Sequence, residues 1–295
     1  MSFSFNFALV AGEDKPQQQD VQVTTSSVTH TRNGERFEWS RPADWATTTE
    51  FVPVVIPSSD ATMQFEIVNA SDAGFIARTG AIGSILTSSD LQTGVYEGGF
   101  KLWECALDLV KLMASHEQFK NLRGKRVAEL GCGHGLPGIY ALQRGADHVA
   151  FMDYNKEVLE LTTCPNVLRN VREDASLYEK ASFYAGAWSS VSDLMGTVEQ
   201  VPQRDQEFDL IITAETIYTE AVAVELYETI KRHLRRAPGA VALVAAKKYY
   251  FGTGGSVQHF MDLVNKDSVF QAHVIWEEND GRSNMRSILQ VVPIL

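Results

Sequence analysis

Three cysteines in 295 residues, Cys105, Cys132 and Cys164, stand at unrelated spacings, which excludes a disulfide framework or cysteine-held metal and suits a reducing compartment. The seven histidines form no spaced pair on one helix face, and no carboxylate cluster has metal-ligand spacing. No Gly-Lys-Ser/Thr loop grips phosphate and no Gly-x-Ser-x-Gly elbow is present, so NTPase and serine-hydrolase chemistries fall away. No apolar run approaches membrane-spanning length, and residues 1–10 lack the basic segment and apolar core of a secretory signal. The chain is therefore expected in the cytoplasm, with the nucleus as a second compartment. Basic residues are scarce: 26 Lys and Arg against 37 Asp and Glu leave a net charge of −11. That balance argues against direct nucleic-acid binding and would suit a basic polypeptide partner, although solubility alone also accounts for it.

What is present begins late in the chain. Residues 11–34 are polar and read as a tail or linker. From Arg36 to Ile56, two tryptophans (Trp39, Trp45) and the extended run Phe51–Ile56 suggest a segment that docks on the protein's own core. Residues 58–90 show no pattern. We read 1–89 as a partly disordered N-terminal extension and 90–295 as the main domain.

Beyond Asp90 the periodicity is clear. Leu102, Ala106, Leu109, Val110 and Met113 place an amphipathic helix over 102–119. Strands are expected at 126–130, 148–153, 181–185, 208–213 and 240–246, with helices at 136–144, after Asp153, at 221–235 and around 257–265. Pro165 should kink or break the helix after Asp153. Two β-rich segments, 271–277 and 285–294, flank Asn279-Asp280-Gly281, a hairpin signal. The result is an α/β fold: a seven-stranded Rossmann-like sheet closed by a C-terminal antiparallel hairpin.

The first strand runs into Glu129-Leu-Gly131-Cys-Gly133-His-Gly135, where glycines let backbone approach a nucleoside. Gly133-x-Gly135-x-x-Gly138 followed by Asp153 also fits a dinucleotide site. Glu129 weighs against it, since a carboxylate there repels pyrophosphate but welcomes a cationic sulfonium. The terminal hairpin weighs the same way. The motif thus points to an S-adenosylmethionine-dependent methyltransferase.

Further candidates follow the strand ends. Asp153 could accept ribose hydroxyls or cap a helix, and Trp188, after Gly186-Ala187, could stack on adenine or belong to the core. Glu215 and Tyr218, in Thr213-Ala-Glu-Thr-Ile-Tyr218, could face a methyl acceptor, or could be incidental neighbours of a helix capped by Thr213 or Thr219. The glycine-rich stretches Gly94–Glu104 and Lys247–Gly255 lie at the same sheet edge and have the character of closing loops.

Together, Gly94-Val-Tyr-Glu-Gly-Gly-Phe-Lys-Leu-Trp-Glu104, Glu129-Leu-Gly-Cys-Gly-His-Gly-Leu-Pro-Gly138, Asp153-Tyr-Asn155, Thr213–Tyr218 and Lys247–Gly255 resemble the protein-histidine N-methyltransferases of the methyltransferase-like group. The resemblance covers roughly residues 90–295. It implies a class I methyltransferase fold and S-adenosylmethionine as cofactor, held by Trp103, Glu129, Gly131, Gly133, Asp153, Trp188 and Thr213. It implies catalytic roles for Glu215 and Tyr218, and a histidine of a large-subunit ribosomal protein as acceptor; separately, the chain is expected to be a monomer. Ala187 departs from the acid that relatives often carry, and Tyr249 from a histidine. A lysine methyltransferase of the same fold, or a non-catalytic adaptor, remain open alternatives.

Overall fold

A computed structural model describes residues 32–57, 62–86, 89–197, 207–278 and 285–295. The strands are β1 (Glu35–Phe37), β2 (Phe51–Ile56), β3 (Met63–Val68), β4 (Arg126–Leu130), β5 (His148–Asp153), β6 (Ala181–Ala185), β7 (Leu210–Ala214), β8 (Val241–Lys247), β9 (Phe270–Glu278) and β10 (Arg286–Pro293). Eight of them form one sheet in the order β1-β6-β5-β4-β7-β8-β10-β9, while β2 and β3 make a separate antiparallel pair. β4 to β8 run parallel, and β10 lies antiparallel between β8 and β9. The crossovers wind outward from β4 in both directions, so the carboxyl ends of β4 and β7 part at a switch point where a ligand can enter.

The seven strands expected from the sequence are all present. The sheet gains an eighth, β1, which pairs antiparallel with β6 through Glu35, Arg36 and Phe37. Three residues without alternation give no strand signal. The Asn279-Asp280-Gly281 turn lies outside the described residues, as does the polar stretch before Arg32.

Both faces of the sheet are covered, which is why its strands read as nearly continuous apolar runs. Val127, Val149, Phe151, Ile212 and Leu243 pack with Leu109, Val110 and Met113 of the Glu104–Ser115 helix and Ile139 of the Leu136–Gln143 helix. Their neighbours Ala128, Ala150, Ile211 and Val244 face the opposite side. There Val191, Leu226, Ile230 and Phe260 come from the helices Trp188–Thr197, Glu220–His233 and Val257–Lys266. Each large aliphatic side chain fully buried there contributes about 1.5–3 kcal/mol over exposure.

Two helices differ from expectation. The first long helix stops at Ser115, where His116 is extended (φ −100°, ψ 123°), and a separate turn, Glu117–Lys120, buries Phe119. Phe119 kept the apolar spacing going past the true end. After Asp153, a short turn at Lys156–Val158 widens into a π-helical segment, Leu159–Thr163, before the helix Cys164–Asn170. Pro165 lies just after the π segment in a helix that runs on unbroken (Thr163 φ −63°, ψ −54°), so the expected break is a change of pitch.

That helix also anchors the N-terminal hairpin. Asn166 and Asn170 accept the Val68 and Glu66 backbone N–H groups at 2.7 and 2.9 Å, and Arg169 grips the Glu66 carboxylate with two nitrogens at 2.7 and 2.9 Å. Side-chain amides thus satisfy the free edge of β3 where another strand would have done so. Among the described residues, no helix is long and apolar enough to cross a membrane.

Candidate active site

The turn after β4 crosses the carboxyl end of the sheet with Gly133 at φ +49°, a left-handed bend that an L side chain resists. A Cβ on Gly133 would stand 3.1 Å from the Gly99 carbonyl oxygen, so the loop before the first long helix lies directly on this turn. The Gly138 N–H, in the first turn of the following helix, donates to Glu129 Oε2 at 2.9 Å. Burial pushes the Glu129 carboxyl well above the usual range, against the pull of that bond, and the nearby Asp153 charge adds to the rise.

At the end of β5, Asp153 accepts the Gly133 N–H and the Asn155 N–H, both at 3.0 Å. Burial raises its carboxyl to about 6. These two bonds hold the glycine turn and strand end together; the carboxylate does not cap the helix that follows.

A cavity of about 300 Å³ opens above these groups, lined by Trp103, Glu129, Gly131, Gly133, Asp153 and Trp188. Glu215 and Tyr218, after β7, share the same cavity, so eight of the nine residues singled out from the sequence meet in one place. Thr213 lies behind the wall: its buried hydroxyl donates to the Leu130 carbonyl at 2.7 Å and meets Thr216 Oγ1 at 2.7 Å. Thr219 supplies the helix cap, accepting the Val222 N–H. Among the described residues, no group of His, Cys, Asp or Glu could hold a metal ion.

The Gly94–Glu104 loop is fastened over the cavity from several sides. Tyr154 donates its phenol proton to Gly94 O at 2.9 Å. Asn155, fully buried, donates to Val95 O at 2.8 Å and accepts the Glu97 N–H at 3.0 Å. Tyr218 donates to the Glu97 carboxylate. His134 Nε2 lies 2.9 Å from Phe100 O, and since a carbonyl only accepts, that nitrogen carries the proton. The Asn166 amide faces His134 Nδ1 at 3.3 Å, and burial lowers the ring to about 4, so it is a neutral clamp. The Trp103 indole N–H donates to Gly98 O at 3.0 Å.

Opposite the loop, Glu215 takes φ +60°, a left-handed conformation that costs a non-glycine residue on the order of 1 kcal/mol or more. Its N–H donates to Ala245 O at 2.9 Å, and its Oε2 accepts the Tyr250 phenol proton at 2.7 Å. Oε1 is buried and has no hydrogen-bond partner. Lys247 Nζ lies 3.9 Å from it and 5.1 Å from the centre of the Trp103 ring. Tyr249 and Phe251 stand exposed on the rim, at 51% and 72%.

Both loops are legible in the sequence, and the tyrosines of the second are expected to flank an acceptor pocket, but Glu97, His134, Asn155 and Lys247 carry no individual role there. Their one local signal is a polar or charged residue set among glycines and aromatics at the sheet's carboxyl edge. Their partners are distant in the chain.

Residues 88–267 match a family model described as lysine methyltransferase. A histidine protein methyltransferase 1 homologue from Dictyostelium discoideum is 38% identical over 207 residues, covering 70% of this chain and 62% of that protein. One from Bos taurus is 36% identical over 217 residues, covering 67% and 56%. The chain therefore spans less than two thirds of the length of either relative. A solved magnesium protoporphyrin IX methyltransferase from Synechocystis aligns with a TM-score of 0.46 at 15% identity, over 64% of this chain and 83% of that one.

Proposed function

The chain belongs to the methyltransferase family that the lysine methyltransferase model describes, and from that premise we propose that it transfers one methyl group from S-adenosylmethionine to a ring nitrogen of a histidine in a protein substrate. The observation that carries a nitrogen acceptor is Glu215, a cavity-lining residue whose buried Oε1 has no hydrogen-bond partner and can accept from an N–H donor. The names of the two relatives favour histidine as that acceptor.

The residues fit the cofactor. Two buried carboxylates, Glu129 and Asp153, meet where β4 and β5 end, a field that favours a cationic ligand, and the glycine turn leaves the space a side chain would fill. Asp153 would hold the ribose hydroxyls, and Trp188 would border the adenine. When bound, S-adenosylmethionine supplies a methyl already activated on a sulfonium, so alignment and exclusion of water are what remain for the protein.

The imidazole must arrive neutral, because its protonated form has no lone pair, and free histidine titrates near pH ~6.5. Glu215 Oε1 accepts one ring N–H and so aims the other nitrogen along the line of attack. Tyr250 fixes the carboxylate by holding Oε2. Tyr218 keeps the loop closed through Glu97, which shields the cavity from water. After transfer, the remaining ring proton leaves to the Glu215 carboxylate or to water.

A large-subunit ribosomal protein is our proposed substrate, a basic partner suited to a chain of net charge −11. We place the reaction in the cytoplasm. The experiment is tritiated-methyl transfer from S-adenosylmethionine into an extract lacking this protein, followed by mass spectrometry of the labelled band. A monomethylated histidine supports the reading; methylated lysine overturns it.

A further inference from the structure

A carboxylate in an acceptor pocket does not by itself choose histidine. An unopposed Glu215 would attract a lysine ammonium more strongly than a neutral ring, since a charge-assisted hydrogen bond is about twice as strong as a neutral one. Something else in the wall must remove that preference.

The wall contains a fixed cation beside the carboxylate. Lys247 ends β8, is 7% exposed, and brings its ammonium within 3.9 Å of Glu215 Oε1 and onto the Trp103 ring. Other charged groups lie nearby. Lys101, also in the cavity wall, is paired with Asp90 at 2.6 Å. Arg286, which faces Lys247 across the β8–β10 ladder, is held by Asp108 at 2.6 Å and Glu104 at 3.4 Å. The Cys105 thiol beside Glu215 is pushed well up by burial and stays neutral, as does the Tyr250 phenol. Glu97, held by Tyr218, and Glu225 also line the cavity on the Tyr218 side, while Glu215 and Lys247 form the pair where β8 ends.

We infer that Lys247 is the specificity-determining residue that makes this pocket refuse an amine and accept an imidazole. The inference rests on the histidine reading of the pocket. A lysine side chain would bring its ammonium against a second ammonium already in place, and a cationic cofactor next to it would add to the repulsion. A neutral imidazole meets no such penalty, and Oε1 has no hydrogen-bond partner of its own in the wall. Lys247 thus offsets the charge of Glu215 without taking its Oε1 as a hydrogen-bond partner.

The test uses the full chain loaded with S-adenosylhomocysteine and two small probes, imidazole and n-butylammonium, titrated near pH ~7.5, where the first is mostly neutral and the second charged. Binding is followed by ligand-observed NMR. The wild type should favour imidazole. Lys247→Met should tighten n-butylammonium roughly tenfold or more, the scale of relieving one like-charge contact, and change imidazole by less than about threefold. Lys247→Arg should keep the wild-type preference. Retained affinity for S-adenosylhomocysteine reports folding, and Lys247→Gln replaces the methionine variant if that fails. An unchanged n-butylammonium affinity in the uncharged variant overturns the role of Lys247. Imidazole binding that is indifferent to Glu215→Ala overturns the histidine reading instead, so the two failures are distinct.

Discussion

Tyr218 and Glu97, 121 positions apart, share a hydrogen bond that joins the loop after β7 to the loop before the first long helix. The acceptor-side wall and the cover of the cofactor cavity are therefore fastened to each other. Burial raises the Tyr218 phenol well above its usual range and the Glu97 charge adds to the rise, so the tyrosine remains a donor throughout the physiological range.

Tyr218→Phe should open the cover without unfolding the domain. Loss of a hydrogen bond to a charged group costs about 1.5–3 kcal/mol, which should appear as faster hydrogen exchange at the amides of residues 94–100. The strands β4, β5 and β7 should keep their protection. Unchanged exchange in the loop would show that Asn155, Tyr154 and His134 suffice to close it.

Glu215→Gln should keep affinity for S-adenosylhomocysteine within about twofold and lose methyl transfer by about 100-fold or more, the scale of a lost transition-state hydrogen bond. An amide presents Oε1 as a weaker acceptor and can present its NH₂ instead. In the wild type the rate should rise through the histidine range and then level off, because only the neutral ring reacts. A rate that keeps climbing toward alkaline pH would indicate an amine acceptor.

Asp153 titrates against burial. With its carboxyl raised to about 6, cofactor binding through the ionised form should weaken as the pH falls through that value. Calorimetric titration with S-adenosylhomocysteine between pH ~5 and ~8 reads this directly. Asp153→Asn should flatten the profile and lower affinity at neutral pH by about 1.5–3 kcal/mol. A profile that stays sloped in the variant would place the titrating group elsewhere.

Asp153 and His134 should tilt stability in opposite directions. His134 sits at about 4 in the fold against 6.5 unfolded, so between those values the unfolded chain binds the extra proton. Stability from this group is present above 6.5 and is lost as pH falls toward 4. Asp153 sits at about 6 against 3.8, so its contribution is present below 3.8 and is lost as pH rises through 6. Each is on the order of 3 kcal/mol over its full window. Relative to the wild type, urea unfolding across that range should tilt toward lower stability at higher pH in His134→Gln and toward higher stability at higher pH in Asp153→Asn, the other raised carboxyls such as Glu129 being common to all three.

The sequence carried the parallel sheet because buried strands must be apolar along their whole length, and it carried the nucleoside turn because glycine has few substitutes there. Thr213 shows where local reading stops. It stands two residues before Glu215, a spacing that strand alternation would put on one face, yet β7 ends at Ala214 and Glu215 turns at φ +60°, while the Thr213 hydroxyl bonds the Leu130 carbonyl. Strand limits slipped for a similar reason: Phe208, expected to open its strand, makes only an isolated bridge with Leu234 before β7 begins at Leu210. Glu97 could not be assigned at all, since nothing near it in the chain announces Tyr218. The edge strand β1 was hidden in polar surroundings because its partner, β6, supplies the register.

The left-handed backbone at Glu215 sets which replacements the protein can sample there over generations. Asparagine, aspartate and glycine enter that region with little strain, whereas valine, isoleucine or threonine would force the bend to relax and drag the end of β7 with it. Drift at position 215 is thereby channelled toward shorter polar groups or none. The shape of the main chain, fixed before any chemistry is considered, has already narrowed the alphabet available to the acceptor site.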